Sequence, residues 1–142
     1  MNDIFACEKL RDPLILLSRI LLALLFIIFG WQKLVGFGAT EGYFTQLGLP
    51  LPFVATIIAV VMEFFVGVAI VLGFFTRPLA ILLAFYTLAT AIVGHAFWTM
   101  TGQAAIESEI NFYKNVGIIG GLFLLYVTGP GRFSLDRILK LA

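Results

Sequence analysis

The chain has 142 residues, of which 61% are hydrophobic and 12% charged, with a formal net charge of +1. A soluble domain carries about 25% charged residues, so this composition is that of one integral membrane domain, residues 1–142, with no basic run to bind nucleic acid. A lone cysteine (Cys7) and a lone histidine (His95) exclude an intrachain disulfide, a dithiol redox pair, bis-histidine haem and a Cys/His zinc site. No metal or haem site is therefore expected, and any redox group must come from outside the chain.

The start, MNDIFACEKLRD, mixes Asp3, Glu8 and Asp12 with Lys9 and Arg11. The apolar stretch behind it runs about 18 residues or more with no small-residue cleavage site, so it reads as a span and not as a signal peptide. The first span is placed at about Pro13–Val35, with Pro13 in the first helical turn. Arg19 lies inside it, within snorkelling reach of the near interface. Trp31, Gln32 and Lys33 mark the far interface. In the connector that follows, Thr40 to Leu47 is expected as a short interfacial helix, capped by Thr40 and ended by Gly48.

The second span, Pro52–Phe74, carries Glu63 at its centre. Apolar segments of about 20 residues are membrane-span candidates. A charge at mid-span costs about 3 kcal/mol and marks a functional site by default. Thr76, Arg77 and Pro78 make a tight turn into the third span, residues 78–98, so spans two and three are antiparallel neighbours. Thr99 to Ile110 reads as a polar connector with Glu107 and Glu109 solvated. The fourth span is placed at residues 111–128, capped by Ser108. Gly129, Pro130 and Gly131 stop it, and the tail RFSLDRILKLA is amphipathic, able to lie on the membrane surface through Phe133, Ile138 and Leu139 or Leu141. The expected fold is an all-α membrane protein, an antiparallel four-helix bundle with an interfacial helix after the first span.

Four spans put both termini on one side. Lys9, Arg11, Arg19, Arg77, Arg132, Arg137 and Lys140 collect there, against Lys33 and Lys114 on the other. That bias places both termini in the cytoplasm. In lipid, helices associate through small residues and buried polar groups. The inward stripes are read as Arg19, Phe26, Gly30 and Lys33 in span one, and Ala55, Ala59, Glu63 and Gly67 in span two. They are Ala84, Leu88, Ala91, His95 and Trp98 in span three, and Lys114, Gly117, Gly121, Leu125 and Thr128 in span four. Gly117–Gly121 reads as a GxxxG packing motif. At about 1.5 Å per residue, Arg19 is roughly 8 Å and Glu63 roughly 16 Å from the near end of its span, so Arg19 is paired with Glu63. His95, Lys114, Asn111, Gln32 and Lys33 share the outer level, with Trp31, Trp98 and Tyr113 nearby.

The order and spacing of several pieces resemble the DoxX family of small four-helix membrane proteins. They are Arg19, FGWQKLVGFG at 29–38, MEFFVGVAIVLGFFTRPLA at 62–80, GHAFW around His95, NFYKN at 111–115 and GPGRFSLDR at 129–137. The resemblance implies a bacterial inner-membrane protein. The family includes proteins described as quinol oxidase subunits, and members are tied to sulfur-compound oxidation through quinone, to thiol and oxidative-stress systems, or to no known activity. The leading expectation is a quinone- or quinol-binding subunit of a membrane redox system. Glu63 and His95 are its candidate catalytic residues. Arg19, Gln32, Lys33, Trp98, Asn111 and Lys114 are its candidate ligand-binding residues. Its expected partners are the bilayer, a quinone and a membrane or peripheral redox protein, and a homo-oligomer is compatible with it. Two other readings fit the same residues. One is a non-catalytic anchor or scaffold, and the other a small-molecule carrier coupled to Glu63 protonation.

Overall fold

The computed structural model describes residues 7–141, so part of the segment on which the no-signal reading rests lies outside the described residues. Helix α1 runs Cys7–Val35, α2 Phe37–Gln46, α3 Pro52–Leu72, α4 Thr76–Gly94, α5 Gly102–Thr128 and α6 Leu135–Ile138. A short 3-10 turn, Phe97–Thr99, sits between α4 and α5. Four of these helices are long and apolar enough to cross a membrane. They alternate in direction, which puts residue 7 and residue 141 at one end, called here the near end. In hydrocarbon every backbone N–H and C=O must be satisfied internally, and a helix does that within one segment.

Glycines set two of the helix ends. Gly48 and Gly73 hold φ of 73° and 69°. Each lets the following N–H reach back over the last turn: Leu49 donates to Phe44 and Phe74 to Ala69. This pattern satisfies carbonyls that a helix end leaves free. The expected interfacial helix is present as α2, but Thr40 does not cap it. Its hydroxyl donates to the Gly36 carbonyl from within the first turn.

Two other helix starts differ from expectation. Helix α1 is already formed at Cys7, the first described residue, so Pro13 lies inside it. Two neighbouring residues are held by the chain's other end: Arg11 reaches the Thr128 carbonyl and Asp12 accepts from the Arg132 N–H. Helix α5 begins at Gly102, so Ser108 is mid-helix and Glu107 and Glu109 project from a helix, not a loop. Hydropathy marks where the bilayer lies. It does not mark where a helix of good formers such as Gln103, Ala104 and Ala105 begins.

The helices pack as two antiparallel pairs, α1 with α3 and α4 with α5. The pairs join at the near half, where α3 meets α4 through Val66–Leu72. There Ile15, Ile70, Ala80, Leu83, Leu122 and Leu125 form a filled core. The inward stripes of α1 and α3 are as expected, with Arg19, Phe26, Gly30, Ala59, Glu63 and Gly67 buried. Those of α4 and α5 are as expected only in part: Ala84, Ala91 and Leu125 are buried, but Leu88 and Gly117 face outward, and Thr76, Ala80, Leu83 and Thr87 on α4 and Asn115 and Leu122 on α5 are buried instead. A side chain at Gly121 would touch Leu22, whereas one at Gly117 would meet nothing. Within the chain, then, Gly117–Gly121 is not a close-packed GxxxG.

Candidate functional site

Arg19 and Glu63 are not partners. Arg19 is 1% exposed, and its guanidinium donates to three backbone carbonyls: Pro130, Val71 at 3.0 Å and Phe133 at 2.6 Å. Beside it Asp136 accepts from the Phe75 N–H at 2.7 Å and the Thr76 N–H at 2.8 Å, capping α4 from the tail. A Cβ on Gly73 would collide with both Arg19 and Ser134. The tail GPGRFSLDR is thus threaded into the near end. Ser134 and Asp136 are buried there while Phe133, Ile138, Leu139 and Leu141 stay exposed. The depth estimate failed because it set the start of span one, Pro13, level with the end of span two, Phe74. With α1 beginning earlier, Arg19 is level with Gly73 and not with Glu63.

Glu63 is level with Gly30 and Lys33. A Cβ on Gly30 would lie 2.8 Å from the Glu63 carbonyl carbon and the Phe64 Cα, so only glycine lets α1 come this close. At the same level α3 makes a π-helical turn, Val61–Phe65. Such turns insert a residue into an α-helix and are frequent at functional sites. Lys33, one turn on from Gly30, donates to Glu63 Oε2 at 2.7 Å, and the Tyr86 hydroxyl donates to Oε1 at 2.6 Å. Both carboxylate oxygens are engaged, and Glu63 is 8% exposed. Lys33–Glu63 is the one ion pair found among the described residues.

Above this group the two helix pairs diverge and leave a cavity of about 700 Å³. Residues of α1, α2, α3, α4 and α5 line it. Leu25, Phe29, Ile58 and Val93 supply apolar wall, and Tyr43 and Phe44 of α2 with Leu47 just after it border it at the far end. The polar lining climbs in levels. Glu63, Lys33 and Tyr86 form the innermost level. Thr90 stands one helical turn from Tyr86, and Asn115 lies across from it on the antiparallel α5. His95, Asn111 and Lys114 stand furthest out. Lys114 donates to Asn111 Oδ1 at 2.7 Å. Asn115 is 8% exposed and lines the cavity.

Five sequence candidates therefore line one cavity: Glu63, His95, Lys33, Asn111 and Lys114. His95 is not on a helical face, since α4 ends at Gly94 and His95 caps it. Gln32 is exposed and Trp98 stacks outside on Phe97 and Phe112, so neither lines the cavity. Arg19 belongs to the other end. Tyr86 and Asn115 were missed. A polar group inside a span marks a site by default, and extending that rule from Glu63 to the phenol and amide inside the spans flags both.

An antiparallel bundle of four membrane-spanning helices with a polar-floored cavity in one half defines a small integral membrane protein with an internal ligand-sized space. The DoxX family model matches residues 14–96, more than half of the chain. The chain is 56% identical over 127 residues to inner membrane protein YphA of Escherichia coli K12, covering 89% of this chain and 91% of that one. It is 40% identical over 136 residues to inner membrane protein YqjF of the same organism, covering 94% and 97%. It is also 27% identical over 74 residues to a Schizosaccharomyces pombe Surfeit locus protein 4 homolog, covering 51% of this chain and 24% of that protein. No solved structure matches the chain. The chain belongs to the DoxX family.

Proposed function

We propose that this integral inner-membrane protein binds a quinone or quinol in the far-half cavity and acts as a subunit of a membrane redox system. The observation that carries the reading is the Lys33–Glu63–Tyr86 group at the floor of an otherwise mainly apolar cavity of about 700 Å³, with the Asn115 amide lining the wall above it. Ligand cavities are typically about 300–1,000 Å³, apolar, with a few placed polar groups. A quinone head has two carbonyls that need donors, and its chain needs apolar wall. The Lys33 ammonium carries three N–H groups and gives one to Glu63. It keeps donors for one carbonyl, while Asn115 or His95 serves the other. Glu63 holds Lys33 and Tyr86 in place and balances the ammonium charge. The chain has a single histidine and a single cysteine, so electrons leave through a partner protein or second cofactor.

Mass spectrometry of an organic extract from protein purified in mild detergent tests this. Wild type should carry near-stoichiometric quinone. Asn115→Leu and Glu63→Gln should each retain roughly tenfold less, the loss expected from one removed hydrogen bond of about 1.4 kcal/mol. An empty extract from folded wild type would remove the redox reading and favour an anchor. Empty extract with pH-driven uptake by vesicles would favour a carrier.

The same reading puts both termini in the cytoplasm, supported by the seven Lys and Arg residues of the near end against Lys33 and Lys114 at the other. A green fluorescent protein fused to the C-terminus should fluoresce. A periplasmic reporter that is active at that position would reverse the orientation.

A further inference from the structure

A second groove lies on the outer face of α4 and α5 at the near end, away from the cavity. It has a volume of about 610 Å³ and is lined by Arg77, Pro78, Ile81, Leu82, Phe85 and Tyr126. From Pro78 to Phe85 it runs about 10 Å along the span. Leu82, Phe85 and Tyr126 are 50%, 64% and 43% exposed, so this wall faces the bilayer. Arg77 closes its near end at the level where α4 begins and α5 stops.

The Arg77 guanidinium is exposed and lies against the end of α5. It lies over Gly129, where φ is 77° and a Cβ would stand 2.9 Å from Nη2 and 3.2 Å from Nε. Glycine there lets the cation settle on the C-terminal end of α5, where the helix dipole favours positive charge. Arg11 arrives at the same turn, its Nη2 3.4 Å from the Thr128 carbonyl. Neither guanidinium has a carboxylate within ion-pairing distance among the described residues, and Arg77 makes no hydrogen bond to them. Two cations converge on one helix end with no anion supplied by the described protein, and an apolar groove about 10 Å long, room for the headgroup-proximal half of an acyl chain, leads away from one of them into the membrane.

We propose that this groove is a binding site for an anionic phospholipid. The phosphate pairs with Arg77, Arg11 adds positive potential beside it, and the headgroup-proximal half of one acyl chain lies along Ile81, Leu82 and Phe85. Position selects a lipid as the occupant, because the groove opens on the bilayer face of two spanning helices and its charged end sits where headgroups lie. Charge complementarity selects an anionic one. An ordinary snorkelling arginine meets headgroups of any kind; here the guanidinium and the groove act together.

Native mass spectrometry of the full-length protein, titrated with phosphatidylglycerol or with phosphatidylcholine of the same chains, tests it. Wild type should retain one phosphatidylglycerol with a preference of roughly fivefold or more over phosphatidylcholine, the size of one interfacial Arg contribution. Arg77→Gln should abolish the preference. Ile81→Trp, which fills the groove and leaves the guanidinium, should weaken retention of both lipids. Arg137→Gln, an exposed cation elsewhere at the same end, should change nothing. Equal binding of the two lipids by wild type, or equal behaviour of Arg77→Gln and Arg137→Gln, overturns the proposal. A dimer that takes no lipid and dissociates on Ile81→Trp would assign the groove to a second copy and overturn it as well. If Arg77→Gln does not fold, Ile81→Trp still decides, because unchanged retention in it refutes the groove.

Discussion

Each half of the bundle buries charge, and each treats it differently. In the near half Arg19 is enclosed by the carbonyls of Pro130, Val71 and Phe133, and Asp136 is consumed by two backbone N–H groups of α4. The space around them is filled by core side chains. In the far half Glu63, Lys33 and Tyr86 satisfy one another through side chains, and the space beside them is open. Side chains bonded to backbone fix the course of the chain. Side chains bonded to each other beside a cavity can exchange partners with a ligand. The first arrangement is that of a clasp and the second that of a site.

The largest effects should come from breaking the clasp. Arg19→Met leaves three carbonyls without their donor, one of them buried and two partly buried, and Asp136→Ala strands two N–H groups at the start of α4 beside a buried cation. Removing one member of a buried charged cluster costs about 3–5 kcal/mol. Heating in detergent followed by size exclusion should show each variant melting roughly 10 °C below wild type. Bound ligand should fall only in step with folded protein. If either variant keeps its melting temperature, the near half is not a clasp.

Gly30→Ala comes next and couples the halves. Its Cβ meets the backbone of Glu63 and Phe64, so α1 must move off α3. Overpacking of this kind costs about 1–3 kcal/mol. Because Lys33 rides on the same turn, the shift also separates it from Glu63. Stability and bound ligand should both drop, with ligand lost from protein that is still folded.

Glu63→Gln should separate the two properties. Glutamine keeps an acceptor for Tyr86, and Lys33 is a quarter exposed and borders the cavity. The stability change should therefore stay within about 1–2 kcal/mol and leave the protein folded, while ligand retention falls roughly tenfold. A melting temperature as low as that of Arg19→Met would make Glu63 structural and erase the contrast between the halves.

The four spans, the hairpin turn at Thr76 and the interfacial helix were legible because each rests on local signals: apolar length, Gly–Pro punctuation and a glycine at a left-handed position. The pairing of the charges was not. It depends on the stagger of α1 against α3, set by the backbone contact at Gly30 and by a tail more than 110 residues away that clamps Arg19. Hydropathy is nearly blind to a π-helical turn at Val61–Phe65, or to α5 starting at Gly102. Small-residue spacing found the inward faces of α1 and α3, where Gly30 and Gly67 mark close approach. It misled on α5, where the polar Asn115 and not Gly117 marks the inward face.

That last contrast gives the smallest and most informative substitution. Gly117 has open space where a Cβ would go, in a helix interior, while Gly30 has backbone. Alanine in a helix is favoured over glycine by about 0.5–1 kcal/mol. Gly117→Ala should therefore raise the melting temperature slightly or leave it alone, and ligand retention should be unchanged because the residue is not part of the cavity lining. A clear fall would carry a definite meaning. No described residue occupies that space, so the loss would point to a neighbour packed there in the membrane. The mass of the detergent-solubilised particle, compared between wild type and Gly117→Ala, would then show whether that neighbour is a second copy. An unchanged monomer mass in both, with stability flat or rising, would leave the face of α5 at Gly117 as lipid-facing surface and confine the tight packing between α1 and α3 to the contact at Gly30.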